Sequence, residues 1–135
     1  MLNYIIKKLH EIKNIIDNNI NKWLNKYPYK YNLYVGTTEK LLDERLSGHQ
    51  HRENAIIHLL YNFGKFSDEE ELDININKSK SKYYRRIKNA ETYAINKINN
   101  FCKTHLIYSS LNINLTCGGL KHNKGDIHKI YLLLK

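Results

Sequence analysis

Cysteine is scarce: two residues, Cys102 and Cys117, stand in a chain of 135. Two thiols do not make a disulfide framework, so an intracellular, reducing setting is expected. Long apolar runs are missing as well. None approaches the ~20 residues needed to span a bilayer, so no membrane partner is expected. The opening MLNYIIKKLHEIKN mixes lysines into its apolar residues and lacks the continuous apolar core of a signal peptide. No linker-like stretch and no repeat divides the sequence. The length suits one domain, 1–135, with enough chain to bury a core unaided by disulfides.

Acidic residues are also few. Thirteen Asp and Glu face twenty-two Lys and Arg, for a formal net charge of +9 and a pI of about 9.5. That excess suits an anionic partner, nucleic acid first. Asn, Lys and Ile dominate, and their codons are AT-rich. Genome composition therefore accounts for part of the lysine excess, and the same signature suits a phage or a large DNA virus.

What is present is periodic. Leu2, Ile5, Ile6, Leu9, Ile12, Ile16, Ile20, Trp23 and Leu24 recur at spacings of three and four, which predicts an amphipathic helix over 1–26. Pro28 disfavours helix in the residue before it, so this helix ends near Tyr27. Tyr31 to Gly36 is rich in aromatic and branched residues and reads as a strand. Thr37 or Thr38 can cap a helix over Glu39 to His49. Ile56, Ile57, Leu59, Leu60 and Phe63 predict a second helix over Glu53 to Phe63, with Gly64 as its C-cap. SDEEELDINI holds an acidic run and then an alternating strand at Leu72, Ile74 and Ile76. KSKSKYYRRIK leads into a helix from Lys82 to Phe101. The remainder is loop-like until the double glycine of LTCGGL, which marks a tight turn. The closing DIHKIYLLLK holds the last strand candidate, at 126–134. This order of elements predicts an α+β or α/β fold, with a small sheet covered by helices.

One stretch, NLYVGTTEKLLDERLSGHQ, gathers chemistry. Arg45 and His49, at i and i+4, share a helix face. Tyr34 sits just before the Gly36 turn that feeds this helix. A guanidinium binds phosphate bidentately and stays charged. An imidazole exchanges a proton near neutrality. A phenol with a pKa of about 10 orients water, or acts as a base where positive charge lowers that value. By themselves these residues are equally an ordinary strand, a turn and a solvated helix.

Their surroundings resemble a known family. LYVGTT with RLSGH resembles the second motif of the GIY-YIG nucleases: a tyrosine, an aliphatic residue and a glycine, then a helix with Arg and often His four residues later. NAETYAI resembles the family's helix with a single metal-binding glutamate, which places it at Glu91. NLTCGG resembles its closing asparagine, hydrophobe and double glycine, which places the asparagine at Asn114. The resemblance covers residues 31–119. The family's first strand, with its own tyrosine, has no copy upstream of Tyr34. KIYLLLK resembles that strand, with Tyr131 as its tyrosine. This implies a rearranged sheet in which the last strand pairs beside the Tyr34 strand.

The resemblance implies a three- to four-stranded mixed or antiparallel sheet with flanking helices and an extra N-terminal helix. It implies a DNA endonuclease that hydrolyses phosphodiesters with one divalent cation, Mg²⁺ or Mn²⁺. Glu91 would offer that ion a hard oxygen. Arg45 would clamp a phosphate oxygen. Tyr34 or Tyr131 would position the attacking water, with His49 or His51 as proton partner. Asn114 would fix the site by hydrogen bonds. Lys78, Lys80, Lys82, Arg85 and Arg86 could follow a DNA backbone, giving affinity and salt dependence rather than sequence specificity. His58 reads as a satisfied histidine, and His10, His105 and His128 belong to no constellation.

Other readings stay open. The chain could be a nucleic-acid-binding module that kept the fold without catalysis. It could be a basic interaction domain whose first helix forms a homodimer seam. Cys102, His105, Cys117 and His122 have the form C-x2-H-x11-C-x4-H, which could ligate a structural zinc.

Overall fold

The computed structural model describes residues 2–64, 82–112 and 127–135, with side chains in the first helix described from residue 8. The fold is α+β. The elements are α1 (Leu2–Lys26), β1 (Tyr31–Thr38), α2 (Leu42–Ser47), β2 (Ile56–Asn62), α3 (Lys82–Thr104), β3 (Tyr108–Ser110) and β4 (Lys129–Leu134). The four strands form one mixed sheet in the order β2-β4-β1-β3. No helix among the described residues is long and apolar enough to cross a membrane.

The C-terminal strand lies beside the Tyr34 strand, as the resemblance implies. β4 runs antiparallel to β1, pairing Tyr34 with Leu133 and Gly36 with Tyr131. Side chains alternate across a strand. Leu33 and Val35 of β1, with Ile130, Leu132 and Leu134 of β4, join the core cluster on one face. Tyr34, Gly36 and Tyr131 therefore share the other face. The core is closed by α1 and α3. Ile12, Ile16, Ile20 and Leu24 recur every four residues along α1, and Ala90, Ala94, Ile95 and Ile98 line α3. The first helix ends as expected, with Tyr27 N–H donating to Trp23 C=O just before Pro28.

The helix expected over Glu53 to Phe63 is instead strand β2, paired antiparallel along β4. Its apolar run is short, and periodicity alone does not separate a short buried strand from a helix. The branched and aromatic residues of IIHLLYN favour the pleated state, and β4 supplies a ladder. The register slips between Leu59 and Tyr61. At that irregularity two side chains of α1 take up neighbouring carbonyls of this edge strand. Trp23 Nε1 donates to Leu59 C=O at 3.0 Å, and Asn19 Nδ2 to Leu60 C=O at 2.7 Å. Such bonds satisfy and cover a sheet edge. Gly64 is accordingly no helix cap. It adopts a positive φ of 68° in a turn where its N–H donates to Asn62 Oδ1.

Two further expectations change. The helix predicted over Glu39 to His49 shrinks to Leu42–Ser47, because Thr38 Oγ1 accepts from Lys40 N–H and holds that stretch in a turn. The segment read as loop after α3 contains β3, which pairs parallel with β1 through Tyr31–Tyr108, Asn32–Ser109 and Leu33–Ser110. Three residues are too few to show a period. The strand expected at Leu72, Ile74 and Ile76, the LTCGGL turn, and residues Lys78, Lys80, Asn114, Cys117 and His122 lie outside the described residues.

Candidate active site

The site face of β1 and β4 carries two tyrosines whose ring centroids lie 6.3 Å apart. Gly36 makes this approach feasible. A Cβ there would stand 2.6 Å from Tyr131 Cζ and 2.9 Å from Tyr34 Cε1, and would strike the Tyr131 hydroxyl. Glycine at this position is thus explained by two phenols closing over the strand, not by backbone conformation.

The chain leaving β1 returns over these rings. Arg45, on α2, sets its guanidinium carbon 5.7 Å from the Tyr131 ring centroid. His49 lies beyond the end of α2 rather than on it. Gly48 caps the helix, and His49 N–H donates to Leu46 C=O at 3.1 Å, turning the residue back toward the sheet. Its ring meets Tyr34 edge-on at 4.9 Å and Tyr131 at 6.0 Å, and His51 stands 5.5 Å away. His51 is also 6.0 Å from Tyr34. Its backbone N–H donates to His49 Nδ1 at 3.1 Å. Glu91, buried on α3, approaches from a third element, and its charge acts on both phenols.

The electrostatics follow from burial. Burial lifts the Tyr34 phenol above its ordinary value, Glu91 adds to this, and Arg45 opposes it. Burial lifts Tyr131 much further, with Arg45 the main opposing influence. Both phenols are therefore protonated at neutral pH. Burial, then the neighbouring Arg45 and His51, push the His49 imidazole down to about 4, so it is neutral. A guanidinium, two neutral phenols, a neutral imidazole and one carboxylate thus converge. That set can hold a phosphate and a water, and it offers a divalent cation one hard oxygen. Among the described residues no cluster of three or more His, Cys, Asp or Glu forms.

Tyr34, Arg45, His49, His51, Tyr131 and Glu91 are brought together. Lys82 and Arg85 are exposed at the start of α3, and Arg86 is half-buried. His58 is satisfied, as expected: it stacks on Trp23 at 3.8 Å and meets the Tyr27 hydroxyl at 3.0 Å. Cys102 is free, and His105 stacks on Phe101 at 3.8 Å.

Two features have no signature in the sequence. Asn112 splices its side-chain amide onto β1, accepting from Val35 N–H at 2.8 Å and donating to Val35 C=O at 2.9 Å. This continues the β3 ladder by one step and pins the backbone between Tyr34 and Gly36. The NIN spacing holds Asn112 and Asn114 alike, and only the end of β3 distinguishes them. The second feature is His128. It belongs to a constellation after all: buried, it places Nε2 3.0 Å from Glu39 Oε1, beside the rings of Tyr83 and Tyr84. This pair ties the β1–α2 connection to the start of β4, and no local pattern announces it. No protein-family model, curated protein or solved structure matches the chain.

Proposed function

We propose that this chain is a metal-dependent DNA endonuclease of the GIY-YIG type, with the strand order rearranged. The observation that carries the reading is the pairing of Tyr131 with Gly36 across β4 and β1, under Arg45 and His49. In this reading the tyrosine strand wanting upstream of Tyr34 is β4, from the other end of the chain.

In this reading Arg45 binds non-bridging oxygens of the scissile phosphodiester through its planar fork. The two phenols, protonated when the site is empty of substrate, orient the attacking water. Either can accept its proton only where added positive charge brings its pKa down. Mg²⁺ or Mn²⁺ on Glu91 would supply that charge and stabilise the leaving oxygen. Asn112 holds the strand that carries Tyr34. The exposed Lys82 and Arg85 follow the phosphate backbone.

A second reading has one observation in its favour. Tyr131 is 0% exposed, which suits a phenol retained for packing in a nucleic-acid-binding module without catalysis. Nicking of supercoiled plasmid with Mg²⁺ or Mn²⁺ separates the two. Metal-dependent nicking lost in Arg45→Ala and Glu91→Ala supports the enzyme. DNA binding with no cleavage by the wild type supports the module.

A further inference from the structure

The loop after α2 fixes the protonation of His49 by geometry. The backbone N–H of His51 donates to Nδ1 at 3.1 Å. A backbone amide can only donate here, so Nδ1 is the acceptor and a neutral ring carries its proton on Nε2. That nitrogen, on the side of the ring away from the His51 amide, is buried and makes no hydrogen bond among the described residues. The residue is 2% exposed and wedged against Tyr34, Tyr131 and His51. Buried donors are almost always paired, and a native exception calls for a ligand or an ordered partner. Arg45 brings a fixed positive charge to the same place, four residues earlier, with its guanidinium over the Tyr131 ring.

We propose that His49 is locked as the neutral Nε2–H tautomer and serves as a fixed hydrogen-bond donor to an oxygen of a tetrahedral oxyanion seated against Arg45, rather than as a base. Arg45 supplies the charge and His49 the direction. A second cation beside the guanidinium would be disfavoured, and the low pKa of the imidazole agrees with that. The identity of the oxyanion as a phosphodiester rests on the nuclease reading; the tautomer and the oxyanion site do not.

The test is long-range ¹H–¹⁵N NMR of the full chain, with inorganic phosphate as probe. At pH 7 the His49 ring is expected to carry one proton, on Nε2. Phosphate is expected to shift that proton, and Arg45→Gln to abolish the shift. His49→Gln, whose amide can place an N–H near the Nε2 position, should bind phosphate within about threefold of wild type, and His49→Ala about tenfold or more weakly. Should the alanine variant not fold, the wild-type spectra decide. A proton on Nδ1, a doubly protonated ring at pH 7, or an Nε2–H unmoved by saturating phosphate overturns the proposal. A phosphate-dependent shift in a chain that cleaves no DNA keeps the donor and removes the nuclease. Metal-dependent cleavage by a chain protonated on Nδ1 does the reverse.

Discussion

Gly36 and Tyr131 face one another across the β1–β4 ladder, and the phenol occupies the volume a Cβ at residue 36 would need. Gly36→Ala should therefore destabilise the fold by about 1–3 kcal/mol, the usual range for overpacking. Gly48→Ala is the control, because its added carbon meets only ordinary neighbours at 3.8 Å and beyond. Urea denaturation of the two variants checks this. Equal midpoints would mean that the tyrosines do not pack over residue 36.

Asn112 supplies both partners of the Val35 backbone on the β3 side. Toward β4 the paired positions are Asn32 with Lys135, whose backbone groups exchange bonds of 2.8 Å, and then alternate residues along β1. Val35 thus depends on Asn112. Asn112→Ala should leave two buried groups unpaired and cost about 1–3 kcal/mol. Hydrogen exchange reads it directly: the Val35 amide is expected to be protected in the wild type and to exchange much faster in the variant.

Stability should fall on both sides of neutrality. The imidazoles of His49 and His58 sit below their ordinary value, His49 at about 4. The unfolded chain then binds more protons than the folded one between pH 4 and about 6.5, so stability is full above that window and declines as pH drops through it. The phenols of Tyr84 and Tyr93 are raised to about 12. The folded state keeps those protons where the unfolded chain loses them, so stability declines from pH ~10 upward. Denaturant midpoints against pH check both limbs. His49→Gln should flatten the acid one.

Nucleic-acid binding through the start of α3 should be electrostatic. Replacing Lys82 and Arg85 together with alanine should lower the slope of log K against log salt by about 2, near 0.9 for each phosphate no longer neutralised by a basic side chain. Affinity should drop alike for unrelated duplex sequences. An unchanged slope would place the DNA elsewhere.

The legible part of the fold is the part with long periods. The four-residue spacing of Ile12, Ile16, Ile20 and Leu24 marks α1, and KIYLLLK marks β4, whose place beside β1 is implied by the family resemblance alone. Ile56–Asn62 reads as a helix in sequence because so short an apolar run satisfies either period, and the choice is made by a ladder from the far end of the chain. Tyr108–Ser110 has no pattern to show. In the site, Tyr34, Arg45 and His49 are visible because they are close in sequence. Their relation to Glu91 and Tyr131 comes from the family resemblance, not from spacing. Asn112 and the Glu39–His128 pair are invisible because each gains its meaning from a partner many residues away.

The proposed reading is that this constellation cuts DNA. Its most direct measurement is plasmid nicking with Mg²⁺ or Mn²⁺, comparing the wild type with Tyr131→Phe, Arg45→Ala and Glu91→Ala, each first shown to be folded. Metal-dependent nicking by the wild type, reduced by about 10²-fold or more in each variant, on the order expected for acid–base and electrostatic groups, is the predicted result. A wild-type chain that binds plasmid and leaves it uncut with either cation, or nicking that survives all three substitutions, would contradict it.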